Sequence, residues 1–519
     1  MGSLSRLPVE LLVKTLTLLD LLDLTACELS CRRLHKIVEG SVLLQYLKHL
    51  QIAGVSDRCG SLSVDKRLQA LRRREEAWSE IDIRATFKVQ VPFRPTGIYD
   101  LTGGAILLGT RSSIFSRATT GYAYHVLPSV PDSVVPPSYP WLHHDLELNI
   151  VDVGLGVDTH DLVAVLTSSV TNPFYSTNDG ETEQLDLRLF SFSTGKPHPL
   201  AGQHVIPIAS RLWAGGGCSV LIEIVGDHLA LLLTFNADRT DMLVLVDWKH
   251  GHAHTLRESN YASYMHFAFL SEDTLVFPNV PDHTLELCKI VFPTQEFQPI
   301  LQTVCVLELP ALGEYTTVIR VDCRAEPNPI GCSPAPTRNI SRPFHDSPAD
   351  AIVIFNYLIR DVRRAPLFEE LYAFSFTVHR RALLTLTSIP STVIDYPWEH
   401  WGPPVTRWFD FHMFPEALRW ITTSAGQRCV ARTPGPSSPI IVRDFNPHHI
   451  RSGGEEPETL KNGNTRRVIT QPSMIDSTVF TQPIISNLPY TETITQERYQ
   501  YDGLLMDEER IIGLRVCAT

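Results

Sequence analysis

The chain has 519 residues, 43% hydrophobic and 20% charged, a balance that can bury a sizeable core and excludes a wholly disordered protein. Fifty-seven acidic residues against 45 basic give a formal net charge of −12, so the summed field repels phosphates and no nucleic-acid partner is expected. Ten cysteines are scattered with no CxxC pair, which argues against a zinc ribbon or disulfide framework and for reduced thiols inside the cell, in cytoplasm or nucleus.

Taken in chain order, the first 80 residues carry helical periodicity. Pro8 can open a helix without losing a needed N–H, Glu10 falls in the first turn, and Leu12, Leu16 and Leu19 recur at four- and three-residue steps. Asp23 is placed to cap a second helix with Leu24, Cys27, Cys31 and Leu34 on one apolar stripe and Arg32, Arg33, His35 and Lys36 crowding its end, where cations suit the dipole. A third run, 42–52, stops at Gly54, and a fourth, from 66 to about 80, sets Leu68, Leu71 and Trp78 on one side. Arg72, Arg73 and Arg74 read as a solvated face of that helix. Charges at Glu10, Lys14, Asp20 and Asp23 interrupt the leucine-rich start, so neither a signal peptide nor a membrane span is expected, and Arg6 stands where a myristoylation signal needs Ser or Thr.

From about residue 85 the pattern changes to short β-rich stretches separated by turns. Residues 161–167 with 185–192, 227–234 with 242–248, 267–277 with 284–290, and 351–355 with 371–376 form a series of paired strands, and 501–514 reads as a closing hairpin. A degenerate repeat of roughly 40 to 50 residues with several strands per unit is the sequence signature of a β-propeller, here with about six to eight blades, seven as the first estimate. A sandwich-like arrangement is the alternative. Pro-rich stretches at 127–140, 325–348 and 433–439 read as long rim loops, and Gly154-Leu155-Gly156 as a turn. The expected fold class is therefore mixed and mainly all-β: a three-helix module over 1–50, a helical bridge over 51–84, and a β-propeller-like domain over 85–519.

Leu7-Pro8-Val9-Glu10-Leu11-Leu12, with Leu16, Leu19 and Leu24 and then Leu29-Ser30-Cys31-Arg32-Arg33-Leu34, resembles the F-box motif. Residues 45–55 and 66–78, together with Trp401-Gly402-Pro403-Pro404 and Thr406-Arg407-Trp408-Phe409, look like the corresponding parts of fungal F-box proteins with propeller-like C-terminal domains. The resemblance implies a substrate-recognition adaptor of a Skp1-cullin-F-box ubiquitin ligase. Leu7, Pro8, Glu10, Leu11, Leu12, Leu16, Leu19, Leu24, Cys31 and Arg32 would contact the Skp1-type adaptor, which links to a cullin, while the β domain binds a protein substrate. A non-ligase F-box scaffold and a propeller enzyme with an unrecognised site are the alternatives.

A physical argument runs beside the resemblance: a bundle of about 40 residues cannot bury all these apolar side chains, and each one left wet forfeits about 1.5–3 kcal/mol. Catalytic patterns are missing, with no GxxxxGK[ST], HExxH or GxSxG, so neither an enzyme nor a cofactor is expected. His143, His144, His252, His254, His448 and His449 read as loop or rim histidines rather than metal ligands. Trp213, Trp398, Trp401 and Trp408 are candidate substrate anchors, each with the propeller core as its more ordinary place.

Overall fold

The computed structural model describes residues 7–57, 62–112, 118–127, 140–171, 182–212, 217–259, 263–293, 298–329, 344–363, 370–387, 393–411, 420, 422–450 and 456–515. Five helices come first: α1 (Val9–Leu16), α2 (Leu21–Ser30), α3 (Arg32–Gly40), α4 (Val42–Ala53) and α5 (Val64–Glu80). Most of the rest is strand. The expectation of a mainly β chain behind an N-terminal helical module is met.

The helix boundaries depart from the sequence reading at one informative place. Asp20, not Asp23, caps α2, its carboxylate accepting from the Asp23 amide at 2.8 Å. Cys31 is extended at φ −159° and ψ 154°, which divides the single expected helix into α2 and α3. Arg32, Arg33 and Lys36 therefore open α3 instead of closing α2, at the end where the dipole disfavours cations, and Cys31 is exposed rather than buried on a stripe. Gly54 ends α4 as expected, at φ 66°, and a Cβ there would come within 2.4 Å of the Gln427 side chain. Both the left-handed turn and the close approach call for glycine.

Period-two alternation explains how the strands stack. The first sheet is a seven-stranded antiparallel meander from Tyr99–Thr102 to Val205–Leu212. Its long strand Leu142–Gly156 carries Glu147 at φ 54° between a half that pairs with Thr119–Val126 and a half that pairs with Leu162–Thr171. The two halves fold face to face, so that Leu107, Tyr122 and Tyr124 share one core with Val163, Val165 and Phe192.

The next sheet is the four-stranded meander Cys218–Val225, His228–Phe235, Thr240–Asp247, His252–Ser259. Leu229, Leu231 and Leu233 point back to Leu185, Leu187 and Leu189, whereas Ala230 and Leu232 point forward to Phe267, Phe269 and Phe277. Sheets of five, four and six strands follow, and the hairpin Gly503–Met506 with Ile511–Leu514 comes last. Leu504 and Met506 pack on Val430 and Val442 of the six-stranded sheet. Leu505 packs instead with Leu101 and Ile106 of the first sheet.

The expected strand pairs are present. Sheets of unequal strand number, however, take the place of a run of equal blades, and the strand grouping does not by itself draw a closed propeller. Gly154 and Gly156 lie within a strand, not a turn; a Cβ on Gly154 would meet Ile222 at 2.6 Å, so the missing side chain lets two sheets approach. Most of the Pro-rich stretches 127–140 and 325–348 lies outside the described residues. The ends of the second are no rim loop: Phe344–Asp346 forms a two-stranded sheet with Val55–Asp57, and the buried Arg380 guanidinium donates to the carbonyls of Ala325, Pro327 and Pro348.

Candidate functional site

The N-terminal helices close a small core of their own. Leu12, Leu16, Leu24, Leu34, Val38 and Leu44 are buried together, with Leu7, Val13, Leu19, Cys27 and Ile37 at its margin. Leu12, Leu16 and Leu24 were expected to touch a partner; at 0–1% exposed they cannot do so without unfolding the module, and their place is its interior. Of the other expected contacts, Leu7 and Leu19 are half-buried, and Pro8, Glu10, Leu11, Cys31 and Arg32 are exposed.

The sequence reading left the most exposed leucines out of its set of partner contacts, although Leu29 stands in the motif it quoted. Leu18 is 83% exposed, Leu22 74% and Leu29 80%. Leu22, Ala26 and Leu29 follow the i, i+4, i+7 rule along one side of α2, opposite Leu24 and Cys27. That spacing was legible, but α2 is apolar on both sides, and nothing in its pattern says which side meets α3 and α4. Val9 and Leu11 add two more exposed apolar side chains on α1, each about half exposed.

A second feature of the module is an open groove of about 550 Å³ lined by Val9, Val13, Arg32, Arg33, Lys36 and Ile37. The Arg33 guanidinium donates to the Leu7 carbonyl at 2.9 Å, tying α3 to the start of α1. Lys48 of α4 pairs with Glu28 of α2 at 2.6 Å. The module thus presents an apolar stripe and a basic groove on a frame held by its own contacts.

What joins this frame to the β domain is an apolar core flanked by buried ion pairs. Tyr46, Leu50, Val55, Leu68, Leu71 and Phe344 form a shared core. Beside it Arg74 pairs with Asp346 at 2.7 Å and Glu75 at 2.6 Å, and Arg428 pairs with Glu75 at 2.5 Å and Asp444 at 3.0 Å. His449 reaches Asp444 at 2.9 Å. The Trp78 indole N–H donates to the Glu508 carbonyl, and Asn464 to that of Glu80. Burial pushes the Glu75 carboxyl up, but Arg428 and Arg74 overcome this and hold it below its ordinary range. Asp444 is likewise held low, burial being outweighed by Arg428 and His449. The expectation of a solvated arginine triplet therefore fails at Arg74, which faces the interior.

The remaining candidates fall elsewhere. Trp398, Trp401 and Trp408 are buried in the largest apolar core of the described residues with Phe355, Phe374 and Phe376, where they pack the domain. Trp213 lies outside the described residues. His143 and His144 are in a strand, where His144 packs on Tyr122 and Tyr124; His252 and His254 are also in a strand, and His448 and His449 in a short helix. Among the described residues no helix is long and apolar enough to cross a membrane.

The model of the F-box domain matches residues 4–46, the segment that contains α1, α2 and α3. No curated protein matches the chain. Among solved structures, Kluyveromyces lactis Hsv2p is similar at 14% identity over 43% of this chain and 64% of that one, with a TM-score of 0.26, so the chain spans less than two thirds of its length. Regucalcin from Agrobacterium tumefaciens, described as a calcium-binding protein, is similar at 9% identity over 55% and 83%, TM-score 0.26. A prolyl endopeptidase gives 12% identity over 66% and 38%, TM-score 0.25.

Proposed function

We propose that this protein is a substrate-recognition adaptor of a Skp1-cullin-F-box ubiquitin ligase. The observation that carries the reading is a coincidence of position: the F-box match at 4–46 falls on helices whose core is complete without a partner, yet which hold Leu11, Leu18, Leu22 and Leu29 in water. Leu18, Leu22 and Leu29 left wet forfeit up to about 1.5–3 kcal/mol each, and the half-exposed Leu11 less; a docked protein recovers that free energy. Pro8, Leu11, Leu18, Leu22, Leu29 and the groove side of α3 with Arg32 would make the contacts to the Skp1-type adaptor, and through it the chain would join a cullin.

The β domain then has the task of holding a protein substrate. Its sheets pack one on the next in chain order, and the C-terminal hairpin returns to the first sheet through Leu505, Leu101 and Ile106; this supports a propeller-like reading. The buried ion pairs around Arg428 support a fixed orientation of the F-box module on that domain. Catalysis by such an adaptor is catalysis by proximity, raising the effective concentration of a substrate lysine near the ubiquitin-conjugating enzyme. No nucleic-acid or membrane partner and a place in cytoplasm or nucleus belong to the same reading.

The test is co-purification. Pro8→Ala combined with Leu11→Asp, both at exposed positions, is expected to abolish pull-down of a Skp1-type protein while the β domain keeps its unfolding transition. Pull-down equal to that of the unaltered chain refutes the adaptor reading, and recovery of the Skp1-type protein without any cullin selects a scaffold outside the ligase.

A further inference from the structure

A cavity of about 110 Å³ opens where strands of the first, second, fourth and six-stranded sheets meet the C-terminal hairpin. Asp100, Glu223, Arg324 and Ser424 each come from a different one of these sheets. Arg324 is the hub of its charged wall, with Glu326 at 2.6 Å, Glu223 at 3.1 Å and Asp100 at 3.4 Å. Asn328 donates to the second Glu223 oxygen at 2.5 Å. One guanidinium thus faces three carboxyls, all withdrawn from bulk water, and compensates about one of them.

Two further side chains point to a ligand independently of this acidic wall. Ser424 (1% exposed) and His345 (4% exposed) line the same cavity, and the Ser424 hydroxyl and the His345 Nε2 find no hydrogen-bond partner among the described residues. Buried polar atoms are rarely left so, because the desolvation penalty goes unrecovered. The His345 Nδ1 is already engaged, 3.2 Å from Glu508, which leaves Nε2 for whatever enters.

We propose that this cavity binds a small organic cation, an ammonium or guanidinium group, with Glu223, Glu326 and Asp100 supplying the charge and Ser424 and His345 the remaining hydrogen bonds. The volume holds a group of a few heavy atoms, about three to four water volumes. A bare metal ion fits less well: among the described residues no three His, Cys, Asp or Glu side chains gather as a metal-holding group, whereas a cation that donates several hydrogen bonds satisfies carboxylates spaced around a wall. Burial pushes the Glu326 carboxyl up against the pull of Arg324, and burial likewise pushes up the nearby Asp152 against the Val153 amide. The cation comes either as a free amine or guanidine or as the basic side chain of a bound protein, and the two sources are separable.

The experiment is calorimetric titration of the full chain with methylguanidinium, methylammonium and the neutral, similarly shaped methylurea, followed by a blocked tripeptide with a central arginine. Saturable binding of at least one cation and none of methylurea is expected, weakened about tenfold or more by Glu223→Gln and measurably by Ser424→Ala. Tripeptide binding tighter than that of the free cations assigns the site to a protein side chain. Cation binding without tripeptide binding assigns it to a free small molecule. Failure of every cation to bind, equal binding of methylurea, or unchanged affinity in both variants overturns the proposal. If Glu223→Gln does not fold, Ser424→Ala carries the test, since removing an unpartnered hydroxyl leaves the ion pairs intact.

Discussion

Helices α2 and α5 reverse the usual allocation of side chains. The first holds Leu22 and Leu29 almost fully in water, while the second turns Arg74 and Glu75 into the protein, where they meet Asp346 and Arg428. Each reversal has a cost: an exposed leucine loses its transfer free energy, and a buried ion pair must recover the desolvation of both charges. Two opposite reversals in one 80-residue segment teach that its two ends answer to different surroundings. The amino-terminal end leaves apolar side chains in water, where the proposed Skp1-type adaptor would cover them, and the carboxy-terminal end buries its charges against the β domain.

The contrast can be broken most severely at its buried pole. Arg428→Ala removes the cation that Glu75 and Asp444 share, leaving Glu75 to Arg74 and Asp444 to His449, and should destabilise the protein by about 3 kcal/mol because a buried charge network loses its central partner; denaturant unfolding followed by tryptophan fluorescence measures it. At the exposed pole the effects should separate. Leu22→Asp with Leu29→Asp should change stability by no more than about 0.5 kcal/mol per site, yet weaken the Skp1-type partner by about 2 kcal/mol or more, roughly thirtyfold. A large loss of stability would mean that the stripe packs within the chain. The smallest expected effect is on pH dependence. Glu75 is held below its unfolded value, so its stabilisation is present above the unfolded carboxyl pKa and is lost as pH falls through the folded one. Thermal melts from neutral to acid pH should therefore show a shallower acid limb for Glu75→Gln than for the unaltered chain.

How much was readable from sequence differs between the regions for the same physical reason. Strand pairs such as 227–234 with 242–248 were legible because strands buried on both faces read as short, near-continuous apolar runs bounded by turn residues. The break at Cys31 was not, since Leu24, Cys27, Cys31 and Leu34 keep helical spacing across it. Trp398, Trp401 and Trp408 had two possible places, and the core took all three.

The amino-acid sequence by itself determined the helix-then-strand order, the F-box match and the identity of the strand pairs, because these depend on spacing and propensity within a few tens of residues. The tertiary structure decided which face of α2 is free, that Arg74 is interior, and that Asp100, Glu223, Arg324 and Ser424 line one cavity. Those outcomes depend on contacts between segments up to hundreds of positions apart, and local periodicity carries no record of which distant residues will meet.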